Sequence, residues 1–152
     1  NPLKYGRSIL ENSSFIVSSA FKDKKLIGCG FVARLSGSTA EFLEMWLLMN
    51  VGYKPFFLDA AGKLNLRFSP KLAGWLFKRN GTYSFNFLSK IKVTYYNPKK
   101  KNTFGKNQAK IKKISFKDKD NNLINLSSEI IFSPYAEEIR NLTIKEINIY
   151  LD

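Results

Sequence analysis

Hydrophobic positions follow two different periods along this chain. From Phe42 to Met49 nearly every residue is apolar, and Ser38-Thr39-Ala40-Glu41 stands immediately ahead. That tetrad has capping-box spacing, with Ser38 placed to accept from the third helical amide and Glu41 to reach back. Asn50-Val51-Gly52 ends the segment. Apart from Glu41 and Glu44, which share one face, this helix is apolar on all sides, and such a helix needs burial on most of its surface. Residues 1–37 offer Ile9-Leu10 and Phe15-Ile16-Val17 as cover, which is too little. The missing partners are expected to be further helices upstream of Asn1.

From Pro55 the period becomes two, the signature of strands with one buried face. Phe56-Phe57-Leu58 runs into Asp59-Ala60-Ala61-Gly62, after which Leu64, Leu66 and Phe68 alternate with Lys63, Asn65 and Arg67. Asn80-Gly81 is a hairpin signal. Tyr83, Phe85 and Phe87 alternate after it, and Ile91, Val93 and Tyr95 continue beyond Ser89-Lys90. Ile114 and Phe116 precede Asp118-Lys119-Asp120-Asn121-Asn122; Leu123-Ile124 and Ile130-Ile131-Phe132 follow. Pro134 opens a short helix reaching about Arg140, and Ile147, Ile149 and Leu151 close the chain in alternation. Short strands with regular turn punctuation predict an antiparallel β-sandwich, here joined to a helical segment.

Composition narrows the chemistry. The 152 residues contain no His and a single Cys29. This excludes Ser–His and Cys–His nucleophile pairs, histidine metal ligands and an internal disulfide. No apolar run reaches the length of about 18 residues that a membrane-spanning helix needs. Asn1-Pro2-Leu3-Lys4 has neither Met nor the apolar core of a signal peptide, so the chain reads as a piece of something longer.

The net charge is +13, and residues 78–119 carry 13 basic side chains with Asp118 as their one acid. That is an electrostatic footprint suited to nucleic acid or another anionic surface. Lys outnumbers Arg 20 to 5, however. Base readers favour the bidentate Arg fork, so the stretch reads first as a solvated face and nucleic acid is not expected as a partner.

The run Gly28-Cys29-Gly30-Phe31-Val32-Ala33-Arg34-Leu35-Ser36-Gly37-Ser38-Thr39 feeds a small-residue turn into a helix start. The unpaired amides and positive dipole end there suit a phosphate. The dipole alone supplies only about 0.3–1 kcal/mol, so Ser36, Ser38, the close approach allowed by Gly37 and the charge of Arg34 would have to act together. No Lys follows the glycines, so this is not a P-loop. Glu41 and Glu44 fit a helix start better than acid–base work. Trp75, Tyr83, Tyr95 and Tyr96 form either a stacking platform or, more in keeping with strand spacing, core. Cys29 reads as inert.

Three segments in order resemble the C-terminal part of cellobiose and chitobiose phosphorylases, the inverting phosphorylases of glycoside hydrolase family 94. They are Leu35-Ser36-Gly37-Ser38-Thr39-Ala40, Leu64-Asn65-Leu66-Arg67-Phe68-Ser69-Pro70, and Lys92-Val93-Thr94-Tyr95-Tyr96-Asn97-Pro98. The similarity covers most of residues 5–98. It implies that residues 1–52 are the last segment of a helical (α/α)6 catalytic barrel and residues 53–152 a C-terminal, jelly-roll-like β-sandwich. It further implies phosphorolysis of a β-linked disaccharide to an α-sugar 1-phosphate, in which inorganic phosphate is co-substrate, no cofactor or metal is needed, and an upstream Asp protonates the leaving oxygen.

By this resemblance Ser36 and Gly37, with Arg34 beside them, hold phosphate and Glu11 contacts sugar. The family His that precedes the motif has no counterpart in Lys25-Leu26-Ile27-Gly28. With the catalytic Asp upstream, the chain contains no catalytic residue, and by itself it should not turn over substrate. The expected partners are phosphate, a small carbohydrate and the upstream barrel of the same polypeptide, in the cytoplasm and without a membrane. The alternative is a non-enzymatic β-sandwich binding module, taking glycan through Trp75 and Tyr83 or nucleic acid through residues 78–119.

Overall fold

A computed structural model describes residues 15–31 and 36–152. The chain is mainly β and divides into two compact units, Asn1–Leu43 and Glu44–Asp152. In the first, β1 (Phe15–Ile16) and β2 (Gly30–Phe31) form an antiparallel ribbon. The Val17 amide donates to the Cys29 carbonyl and the Gly28 amide to the Val17 carbonyl, each at 3.0 Å. A 3-10 turn, Lys24–Leu26, lies between the strands, and Asp23 caps it by accepting from the Lys25 amide. Helix α1 (Ser36–Asn50) crosses from the first unit into the second. It begins two residues before the expected cap, which places Ser38 within its first turn.

The second unit holds two sheets. Strands β3 (Phe56–Leu58), β4 (Leu64–Arg67) and β9 (Ile130–Ile131) form an antiparallel sheet in the order β3-β4-β9. Strands β5 (Thr82–Phe87), β6 (Ile91–Tyr96), β7 (Ile111–Lys117), β8 (Leu123–Leu126) and β10 (Glu146–Leu151) form the other, in the order β5-β6-β10-β7-β8. Helix α2 (Tyr135–Arg140) buries Ala136 and Ile139 and contacts β4.

The core lies between the sheets. Phe56 stacks on Phe87 at 6.0 Å, and Phe68, just past β4, meets Phe87 and Tyr95 edge-on at 6.1 and 6.5 Å. Ile91, Val93 and Tyr95 of β6, Ile114 and Phe116 of β7, and Ile147 and Ile149 of β10 are buried, as their alternation requires. Fully burying one such aliphatic side chain is worth roughly 1.5–3 kcal/mol.

Two details depart from the antiparallel expectation. β10 lies between β6 and β7 and runs parallel to β6, Lys92 pairing with Glu146 and Tyr96 with Tyr150, so the larger sheet is mixed. Alternation dictates which face a side chain takes but not strand direction, and a parallel pair needs a long crossover. Here the crossover contains β7, β8, β9 and α2. Asn80-Gly81 also makes a turn without a hairpin. The Gly81 amide donates to Lys78 and Gly81 has φ +73°, but the chain ahead is the 3-10 turn Gly74–Leu76, not a strand. The hairpin follows instead, between β5 and β6, where Leu88 and Ser89 both take positive φ (48° and 62°) and the Lys90 amide closes onto Phe87.

Candidate functional site

Ser36 and Gly37 open α1. The first amides of a helix have no partner within it and point along its positive end, so the backbone of this pair is of the kind that receives an oxyanion. Arg34 and Glu11 lie outside the described residues. Glu41 and Glu44 are exposed on α1. Among the described residues no group of three or more His, Cys, Asp or Glu could hold a metal ion, and no helix is long and apolar enough to cross a membrane.

The opposite end of α1 is tightly held. Asn50 is wholly buried; its amide nitrogen donates to the Trp46 carbonyl at 2.8 Å, and its side-chain oxygen accepts from the Tyr83 hydroxyl at 2.7 Å. Its backbone carbonyl accepts from the Tyr95 hydroxyl, also at 2.7 Å. Burial raises Tyr83 above the usual tyrosine range, partly opposed by its bond to Asn50, and raises Tyr95 well above it. Both are therefore neutral donors throughout the ordinary pH range. The amides of Val51 and Gly52 return to the Leu47 carbonyl, and the Val51 carbonyl accepts from Ser69 at 2.6 Å. Gly52 has φ +115°, and a Cβ there would lie 2.9 Å from the Ser69 carbonyl oxygen.

In the middle of α1, where the sequence offered too little cover from residues 1–37, the apolar side chains are exposed among the described residues. Phe42, Leu43, Met45 and Trp46 are 70%, 64%, 54% and 38% exposed. Trp46 touches Phe85 edge-on at 5.4 Å. Leu47 and Met49 pack on the core, and Val51 is part of it.

The four aromatics considered as a platform do not assemble into one. Tyr95 is core. Tyr83 lies against Phe77 and Phe85 with its hydroxyl engaged by Asn50. Trp75 stands 82% exposed on the 3-10 turn. Tyr96 stacks on Tyr150 at 4.8 Å and 11°, while the Lys113 ammonium covers the Tyr150 ring at 5.1 Å.

Sequence reasoning missed the buried bonding of Asn50, whose only signal is an amide residue at a helix end, and the Tyr96–Tyr150 pair, which depends on the parallel register. Asn97-Pro98, expected at a strand end, does follow β6. Asn97 is buried, and its side chain both donates to and accepts from the Lys101 backbone. No protein-family model, curated protein or solved structure matches the chain.

Proposed function

We propose that this chain is the C-terminal part of a cytoplasmic, inverting disaccharide phosphorylase of the cellobiose-phosphorylase kind. Residues 1–52 then complete an (α/α)6 barrel and residues 53–152 form a jelly-roll-like β-sandwich that buttresses it. The observation that carries the reading is the start of α1 at Ser36, which gives the Ser36–Gly37 pair the unpaired amides of a first helical turn. In the reaction a phosphate oxygen bonds to the anomeric carbon as the glycosidic bond breaks. The leaving sugar oxygen takes its proton from an Asp outside this chain, and phosphate needs no base because it is already an anion. Ser36 and Gly37 position that anion, with Arg34 adding charge and Glu11 contacting sugar. No cofactor is required.

The exposed Phe42, Leu43 and Met45 support the same reading, because apolar side chains in such a patch normally mark a contact surface. In this proposal neighbouring barrel helices cover them.

The experiment is Gly37→Asp in the intact protein, followed by release of sugar 1-phosphate from a β-linked disaccharide. An anion placed where phosphate binds should abolish phosphate-dependent turnover. Unchanged phosphorolysis would sink the assignment.

A further inference from the structure

Two lysine runs separate in sequence, Lys99–Lys101 and Lys110–Lys113, meet at one end of the five-stranded sheet. The parallel pairing of β6 with β10 causes this, since both strands then end where the antiparallel β7 begins. Asp152 lies between the runs. Its amide donates to the Lys110 carbonyl at 3.1 Å, and its carboxylate accepts from the Lys110 amide at 2.8 Å. That bond, with the nearby charges of Lys101, Lys112 and Lys99, holds its carboxyl below the usual range.

The loop is organised. Asn97 clasps the Lys101 backbone, and Asn102 accepts from the Gly74 amide at 2.8 Å. Lys99, Lys100, Lys112 and Lys113 are exposed. The ion pairs among the described residues are Arg67–Glu129 and Lys92–Glu146, and neither uses these lysines. From Lys113 the stripe continues along the outer face of β7 to Lys117, about 14 Å further at some 3.4 Å per residue. There it enters a groove of about 530 Å³ lined by Ser115, Lys117, Lys119, Lys145 and Asn148 among others. Asp152 lies at the first end of the track, and the groove itself is lined by Asp118 and by Glu146, the latter bridged to Lys92 at 3.9 Å, while Glu138 accepts from the Lys119 amide at 3.1 Å.

We propose that this end of the sheet, with the β7 stripe and its groove, binds the phosphodiester backbone of single-stranded nucleic acid without reading its sequence. Lysine engages phosphate as a point charge, whereas bidentate recognition of bases or carboxylates calls for Arg; the β7 stripe has none, and Arg79 stands in the turn whose Gly81 carbonyl accepts from the Asn97 amide. A protein partner would need aromatic or aliphatic anchors. Along the outer face Ser84, Thr94, Asn148, Ser115 and Asn125 stand in cross-strand register, Thr94 and Ser115 buried, with the stacked Tyr96 and Tyr150 beside them and Leu123 at the edge. The Tyr150 ring lies between Tyr96 and Lys113, so affinity rests on charge rather than base stacking. The proposal is independent of the phosphorylase reading.

The test is fluorescence anisotropy of the whole chain with labelled 20-nucleotide oligo(dT) and oligo(U), titrated at several KCl concentrations. Neutralising three or four phosphates should give a log–log salt slope of about −2 to −3. The quadruple variant Lys99→Gln, Lys101→Gln, Lys112→Gln, Lys113→Gln should bind at least about tenfold more weakly. The charge-matched variant Lys54→Gln, Lys63→Gln, Lys90→Gln, Arg140→Gln, in the same unit and off the stripe, should lose less than about threefold. Equal losses in both variants would reduce the effect to net charge and overturn the site. So would absence of binding in 50 mM KCl, or displacement of the oligonucleotide by polyglutamate at equal charge, which would make the partner an acidic polypeptide.

Discussion

Two stretches of α1 have similar hydrophobicity and opposite fates. Phe42 to Trp46 lie exposed, while Leu47 to Gly52 are closed into the core by Asn50, Tyr83, Tyr95 and Ser69. Apolar content therefore does not decide where this helix is held. Complementary polar partners and a glycine that lets the chain turn do so. The carboxyl end is specified by bonds that only one arrangement satisfies, whereas Phe42, Leu43 and Met45 present apolar surface to solvent.

The contrast is most sharply broken at Gly52. Gly52→Ala places a Cβ against the Ser69 carbonyl at a left-handed φ, and backbone strain of that kind costs about 1–3 kcal/mol before any clash is added. Urea denaturation should show a loss at or above the upper end of this range. Tyr95→Phe should follow. It leaves the buried Asn50 carbonyl without its hydroxyl donor, a loss of about 1–3 kcal/mol, read from the same denaturation midpoint.

A smaller effect comes from acid. Asp59 is held below the usual carboxylate range chiefly by the Lys63 amide and then by Asn65 and Ala61, against an opposing desolvation; Asp118 has desolvation as its largest influence, outweighed by bonds from Asn122 and Asp120. A carboxyl lowered on folding adds stability that is complete above its unfolded value and fades as pH falls through its folded value, here progressively below about pH 5. The pH dependence of the denaturation midpoint should flatten in the Asp59→Asn, Asp118→Asn variant. The least effect is expected at the exposed stretch of α1. Phe42→Ser should change the stability of this chain by no more than about 0.5 kcal/mol, and a larger loss by thermal denaturation would mean that this stretch is held after all.

Legibility in the sequence followed the chemistry of each turn. Asp59-Ala60-Ala61-Gly62 and Asp118-Lys119-Asp120-Asn121-Asn122 were readable because a side-chain carboxylate accepts amides two and four residues on, and both do so in the structure. Pro134 announced the short helix to Arg140. The Leu88-Ser89 turn carried no such mark, since Leu has no intrinsic preference for positive φ and only strand pairing imposes it. Strand direction and the convergence of the lysine runs are properties of the register between β6 and β10, which no local pattern encodes. Of the phosphate constellation, the sequence placed Ser36 and Gly37 at a helix start but set the cap at Ser38, two residues past the first helical one.

The central position of β10 has a consequence for biosynthesis. Strands β5 and β6 cannot join β7 and β8 until residues 146–151 have left the ribosome, because each half of the sheet bonds to β10 rather than to the other. Lys92 must wait for Glu146, 54 positions later, so the apolar faces of β6 and β7 emerge well before their shared neighbour. Pairing over such sequence distances slows folding relative to local contacts. The nascent chain therefore passes through an interval in which unfinished strand edges are exposed to aggregation, and a chaperone that shields them would act before the last strand arrives.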